Sequence, residues 1–373
     1  MRAIRKAAPE KGLVVEEVPV PRCGPDDVLV EVEAAGICGT DLHIWKWDAW
    51  SSHRIKPPLT LGHEFAGTIV EVGEKVEHAR VGDFVSAESH VTCGMCYQCR
   101  TGQAHLCPRT KILGVDIDGA FAEYVAIPEK VVWHNDRSRI SPQIAALQEP
   151  FGNAVFATLN QDITGKSVAI LGCGPIGLFS VGIAKASGAS YVYATDVNDH
   201  RLELARTMGA TAAFNPSKES DIVSRLVDAN NGLGIDVVLE MSGSPIAINT
   251  AFRAARNGGT VVLFGIPADP VEIDIAENMI FKNLSVTALN GRRIFDTWYK
   301  TRWLLANNVV DLRPLITKTI SFDEVNDSMP LLANGEACKL VLIPEHSRPA
   351  DVKRAKHRPR SEDPDITGTV SHR

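Results

Sequence analysis

Between about residues 153 and 293 short β-branched runs alternate with helical stretches, and no other feature limits the possible folds so tightly. Ser167–Leu171, Tyr191–Thr195, Asp236–Glu240 and Thr260–Gly265 read as buried strands. Ile176–Ser187, Asp199–Met208, Lys218–Asn230 and Pro245–Arg256 read as the helices between them. Strands joined through helices run parallel, and a parallel sheet needs cover on both faces. The class is therefore α/β, with a doubly wound parallel sheet over 153–293. Residues 1–152 read as a second, β-rich unit. Met1 to Val20 is strand-like, and Val28–Val32, Gly67–Val72 and Phe121–Ile127 alternate between Gly, Pro and Asp turns. Past 294 one helix is expected over 295–307 and one strand over Lys339–Pro344. That strand is expected to return to the first unit, which then comprises 1–152 and 294–345.

The remaining bulk properties exclude some partners. A formal net charge of −6 gives no basic field for nucleic acid. The most apolar stretch, Val168 to Ala186, is broken by Gly172, Gly174, Pro175, Gly177 and Gly182, so it reads as a strand–turn–helix and not as a membrane span. No signal-peptide pattern opens the chain. Cys23, Cys38, Cys173 and Cys338 are scattered, which does not suit a secreted disulfide framework and points to a reducing cytoplasm. Residues 346–373 lack bulky apolar residues and read as a disordered tail, with the basic run Lys353 to Arg360 solvated.

Gly172-Cys173-Gly174-Pro175-Ile176-Gly177 matches G-x-G-x-x-G, follows a strand and opens a helix. In that context the first glycine allows the tight turn. The second lets a pyrophosphate approach the backbone, and the third lets helix and strand pack. The helix N-terminus adds free N–H groups for phosphate. Asp196 closes the next strand and can accept hydrogen bonds from the ribose hydroxyls. Its charge repels a 2′-phosphate, which favours NAD over NADP, while nearby Arg201 weighs the other way.

Two metal sites are expected. Cys93, Cys96, Cys99 and Cys107 follow the spacing C-x2-C-x2-C-x7-C, the donor set of a closed tetrahedral zinc with a structural role. Cys38, His63, Glu64 and Glu149 lie in short turns of the β-rich unit. One thiolate, one imidazole and one carboxylate with a position left open compose a catalytic zinc site, and either Glu64 or Glu149 can supply the carboxylate. Zinc lowers the pKa of a coordinated water from 15.7 to about 7. The same polarisation of an alcohol eases loss of hydride from its carbon, so zinc beside NAD implies alcohol oxidation. Thr40 is then placed to take the hydroxyl proton and His43 to pass it to solvent.

These residues make the chain similar to the zinc-containing medium-chain alcohol dehydrogenase superfamily. The shared motifs are Gly36-Ile37-Cys38, Gly62-His63-Glu64, the four-cysteine lobe and the glycine turn. Narrower motifs resemble its threonine-dehydrogenase branch: Thr40-Asp41-Leu42-His43, Trp47-Asp48-Ala49-Trp50, Glu149-Pro150-Phe151-Gly152-Asn153, Asp196-Val197-Asn198 and Asp296-Thr297-Trp298-Tyr299-Lys300. The resemblance covers about 1–344. It implies a GroES-like catalytic domain, a Rossmann domain, two zinc ions per chain, NAD, a homotetramer, and oxidation of the threonine 3-hydroxyl to 2-amino-3-oxobutanoate. It implies Cys38, His63 and Glu64 as zinc ligands, Thr40 and His43 as the relay, and Glu149 at or beside the metal. It also implies NAD contacts from Ile176, Asp196, Arg201, Phe264, Gly265, Ile266, Leu289 and Asn290.

The chain departs from that pattern at Asn290, Arg293 and Phe156. For an amino-acid substrate, Glu149 or Glu64 are candidates for the ammonium and His90 or Arg292 for the carboxylate, with a cofactor phosphate as the other use of Arg292. The competing readings are a butanediol- or sorbitol-type zinc dehydrogenase and a non-catalytic NAD-binding protein that keeps only the structural zinc.

Overall fold

The computed structural model describes residues 1–345; the expected tail over 346–373 lies outside the described residues. The strands of the first part are β1 (Arg2–Lys6), β2 (Val14–Glu17), β3 (Asp27–Gly36), β4 (Leu59–Thr60), β5 (Glu64–Val72), β6 (Phe84–Ala87), β7 (His90–Val91), β8 (Lys111–Ile112), β9 (Tyr124–Pro128) and β10 (Val132–His134). Then come β11 (Ser167–Leu171), β12 (Tyr191–Thr195), β13 (Ala212–Phe214), β14 (Ile235–Glu240), β15 (Ala255–Leu263) and β16 (Ser285–Ala288), followed by β17 (Ile316–Ile320) and β18 (Lys339–Leu342).

The strands β11 to β16 form one parallel sheet in the order β13-β12-β11-β14-β15-β16. The order reverses between β11 and β14, which opens a crevice at their carboxyl ends, where doubly wound sheets bind ligands. All five residues of β11 are buried, as covered parallel strands require. The other large sheet runs β10-β6-β5-β3-β18-β17, with β9 also paired to β3. The strand β18 joins it antiparallel to β3, so Lys339–Leu342 pairs with the N-terminal sheet.

The helix Gln148–Leu159 joins the two halves. Its Phe151, Ala154 and Val155 share one core with Ala34 and Ala66 of the N-terminal sheet and with Val168, Ile170 and Phe179 of the parallel half. The sequence pattern marks no helix there, nor at Gly39–Lys46, Ala49–Arg54 or Pro142–Ala146. The reason is physical. Ten of the twelve residues of Gln148–Leu159 are buried, so it has no polar face to reveal a helical period. Its Pro150 sits in the first turn, where a missing N–H costs no hydrogen bond. Other boundaries moved for local reasons. The helix expected from Lys218 starts at Ile222, because Asp221 caps it through the N–H groups of Val223 and Ser224 at 3.0 and 3.3 Å. The strand expected to reach Gly265 stops at Leu263, where the N–H groups of Phe264 and Gly265 both turn to the Glu240 carbonyl at 2.9 and 3.0 Å.

Candidate active site

The ladder between β3 and β5 pairs Gly36 with Glu64, which brings the turn after β3 beside the turn before β5. Cys38 caps the helix Gly39–Lys46 in the first turn, and His63 and Glu64 occupy the second. Donor atoms of Cys38, His63 and Glu64 all lie within 4.8 Å of one another. His63 is 6% exposed and Glu64 is fully buried. His63 Nδ1, Glu64 Oε1 and Asp41 Oδ1 are buried without a hydrogen-bond partner. Burial pulls the His63 pKa down, but Asp41, Cys38 and Glu149 outweigh it and hold it well above the ordinary value. A soft, mixed donor set in a negative hole with unpaired lone pairs fits a divalent zinc. Asp41 belongs to the Thr40-Asp41-Leu42-His43 motif. Its Oδ2 accepts the Cys38 N–H at 2.9 Å, and its Oδ1, 3.9 Å from His63 Nδ1, is too far for a hydrogen bond but near enough to favour the positive imidazole.

The Thr40 hydroxyl sits 3.9 Å from Cys38 Sγ. His43, one helical turn on, is exposed; its ring meets Asp48 through Nδ1 and Trp50 edge-on at 6.0 Å. Glu149 lies outside the three-donor cluster but close enough to act on the charge of His63. It is held by the Ser89 hydroxyl at 2.6 Å and by Arg292 at 2.8 Å.

Arg292 corrects an expectation. It is 1% exposed and faces two carboxylates, Glu149 and Glu88, with Nε 2.8 Å from Glu88 Oε2 and a further contact to Oε1. Its Nη1 also donates to Asn153 at 3.1 Å. Such a guanidinium is used up inside the protein and reaches neither a substrate carboxylate nor a phosphate. Glu88 also accepts from the His90 backbone N–H at 2.9 Å and from the Trp298 indole at 2.8 Å. No spacing in the sequence marks its charge, though it stands two residues before His90. Of the two carboxylate-binding candidates, His90 alone keeps part of its side chain exposed, 24%. Two departures from the family pattern turn out to be neighbours: the Arg293 guanidinium lies over the Phe156 ring at 5.8 Å.

The predicted dinucleotide residues gather at the carboxyl ends of the parallel strands. Gly172 follows β11 with φ of +99°, and a Cβ on Gly177 would stand 2.0 Å from the Gly172 carbonyl. A Cβ on Gly174 would meet nothing within 4 Å, so open space lies at the N-terminus of the helix Pro175–Ala186, with Ile176 in its first turn. That is the room a pyrophosphate needs, at the positive end of a helix dipole. Asp196 follows β12, its carboxylate accepting N–H groups from Cys173 and Asn198 at 2.7 and 2.9 Å. Arg201 stands 3.8 Å from it. Phe264, Gly265 and exposed Ile266 follow β15; Leu289 and Asn290 follow β16.

In the four-cysteine lobe all thiols are free. Adjacent sulfurs stand 3.4, 3.5 and 4.0 Å apart. A tetrahedral zinc with sulfur at about 2.3 Å requires edges of about 3.8 Å. N–H groups of Met95 and Cys96 draw the Cys93 thiol down to about 6, while burial and neighbouring thiols push Cys99 up to about 11. Four sulfurs this close cannot all ionise without a cation among them, so the donor set fits a closed zinc site.

The chain matches the alcohol dehydrogenase GroES-like domain over residues 24–137 and the zinc-binding dehydrogenase domain over 175–307. It is 49% identical over 346 residues to the L-threonine 3-dehydrogenase of Symbiobacterium thermophilum, covering 92% of this chain and 98% of that protein. The chain belongs to the zinc-containing medium-chain alcohol dehydrogenase superfamily. Two solved members superpose closely. A zinc-binding dehydrogenase from Sinorhizobium meliloti, bound to NADP, has a TM-score of 0.85 and 33% identity, over 92% of this chain and 99% of that one. The 2R,3R-butanediol dehydrogenase of Bacillus subtilis has a TM-score of 0.84 and 29% identity, with the same two coverages. Like other members of this superfamily the chain is a dehydrogenase that acts on a small molecule with zinc and a nicotinamide dinucleotide. None of its described helices is long and apolar enough to cross a membrane.

Proposed function

We propose that the chain is an L-threonine 3-dehydrogenase, oxidising the 3-hydroxyl to 2-amino-3-oxobutanoate with NAD. The observation that carries the reading is the convergence of Cys38, His63 and Glu64 within 4.8 Å, in a chain 49% identical to a threonine dehydrogenase. Cys38, His63 and Glu64 hold the catalytic zinc, and Cys93, Cys96, Cys99 and Cys107 hold the structural one. Bound zinc supplies Lewis acidity at the substrate hydroxyl and bound NAD supplies the hydride acceptor.

The protein's own groups do the rest. Thr40 takes the hydroxyl proton, and His43, oriented by Asp48, passes it to solvent. Glu149, kept anionic by Arg292, faces the substrate ammonium. Gly172, Gly174, Gly177 and Ile176 cradle the pyrophosphate. Asp196 holds the ribose and disfavours a 2′-phosphate, while Arg201, Phe264, Gly265, Ile266, Leu289 and Asn290 line the rest of the cofactor.

The likeness to a butanediol dehydrogenase supports a second reading, a zinc polyol enzyme. Parallel NAD reduction assays with L-threonine, 2,3-butanediol and sorbitol separate the two. Threonine is expected to give the highest kcat/KM; slowest turnover on threonine would remove the first reading. A homotetramer in the cytoplasm is part of the proposal.

A further inference from the structure

Strands β5, β3 and β18 lie side by side in that order, and each contributes one residue to a single crossing point. Glu64 opens β5 opposite Gly36 of β3, and β18 runs along the other side of β3 with Val341 opposite the same glycine. Lys339 of β18 reaches across. Its Nζ lies 2.5 Å from Glu64 Oε2 and 2.8 Å from the Ile37 carbonyl, one residue before Cys38. The crossing exists because the middle strand carries no side chain there: a Cβ on Gly36 would stand 2.2 Å from Glu64 Oε2. Lys339 is 1% exposed and Glu64 is 0% exposed, so water does not compete for the pair. Glu64 Oε1 is left without a hydrogen-bond partner.

We propose that Lys339 is a positioning residue for the metal. By occupying Glu64 Oε2 it limits this carboxylate to one donor oxygen, which keeps the coordination number low and leaves room for the substrate hydroxyl. The proposal rests on Cys38, His63 and Glu64 being the catalytic metal site. Without Lys339 the carboxylate is free to turn both oxygens to the metal.

The test uses the full chain with cobalt(II) in that site and zinc kept in the four-cysteine lobe. Low-coordinate cobalt absorbs visible light more strongly than five- or six-coordinate cobalt, so the d–d bands report the ligand count directly. Lys339→Gln is expected to lose about half or more of that intensity, while the sulfur-to-cobalt band from Cys38 stays. Lys339→Arg keeps the wild-type spectrum. Gly36→Ala retains the charge but pushes Glu64 Oε2 aside, and is expected to repeat the loss; it decides the matter where Lys339→Gln does not fold. Spectra of the Gln and Ala variants that superimpose on wild type overturn the role of Lys339 alone. A wild-type protein with no sulfur-to-cobalt band overturns the metal reading itself, and this proposal with it.

Discussion

Arg292 lies between two buried carboxylates, Glu88 and Glu149, so removing the Glu88 charge costs its hydrogen bonds to the guanidinium while Glu149 still balances it. A hydrogen bond to a charged group contributes about 1.5–3 kcal/mol. Glu88→Gln is therefore expected to destabilise the protein by about 2 kcal/mol, read as a lower urea midpoint. Burial alone would raise the Glu88 pKa, but Arg292, His90 and Trp298 bring it down to about 2, against an ordinary 4.5. A depressed carboxyl contributes stability that is complete above its unfolded pKa and lost as pH falls through the folded one. The wild type should lose stability between pH 4.5 and 2 more steeply than the Gln variant. Equal slopes would place the charge elsewhere. Cys38→Ser should abolish turnover with the circular dichroism spectrum intact, because it empties a ligand position while the surrounding ladder stays. Residues of this kind were unevenly legible. Cys38, His63 and Glu64 announce themselves by chemistry. Glu88, Asp41 and Lys339 do not, because their roles come from strands and turns far apart in the chain. A charge inside the apolar run Cys338–Leu342 was the one available hint for Lys339.

At the scale of elements, the glycine turn offers a paired experiment. Gly174→Ala puts a methyl into open space, so thermal stability should hold while NAD Kd rises about tenfold as the pyrophosphate is crowded. Gly177→Ala puts a methyl against the Gly172 carbonyl, so Tm should fall as well. The opposite ranking of the two Tm values would mean that the turn is used differently. In the lobe, Cys99→Ser should release one zinc to a chelator and disorder the segment with NAD Kd nearly unchanged. The strands β11 and β12 were read to the residue because buried parallel strands are unbroken apolar runs between glycines and polar caps. The helix Gln148–Leu159 is hidden because it is apolar on nearly every side, and it carries Glu149 and Asn153 to Arg292.

Across the molecule, two of the groups of exposed apolar side chains among the described residues lie on the four-cysteine lobe and at a sheet edge. Met95, Tyr97 and Leu106 cluster on the four-cysteine lobe, and Ile275, Ile280, Phe281 and Val286 lie on and before the edge strand β16. Patches of this kind suit contacts between copies. Light scattering should give about 160 kDa for a tetramer of the 40.4 kDa chain; the monomer mass would refute that assembly. Alcohol oxidation depends on where the second metal sits. Anomalous diffraction at the zinc edge, from crystals grown with NAD, should give two peaks per chain. One belongs among Cys93, Cys96, Cys99 and Cys107. The other belongs among Cys38, His63 and Glu64, with the nicotinamide beside it. A single peak in the lobe, or a second one away from the dinucleotide crevice, would contradict the account.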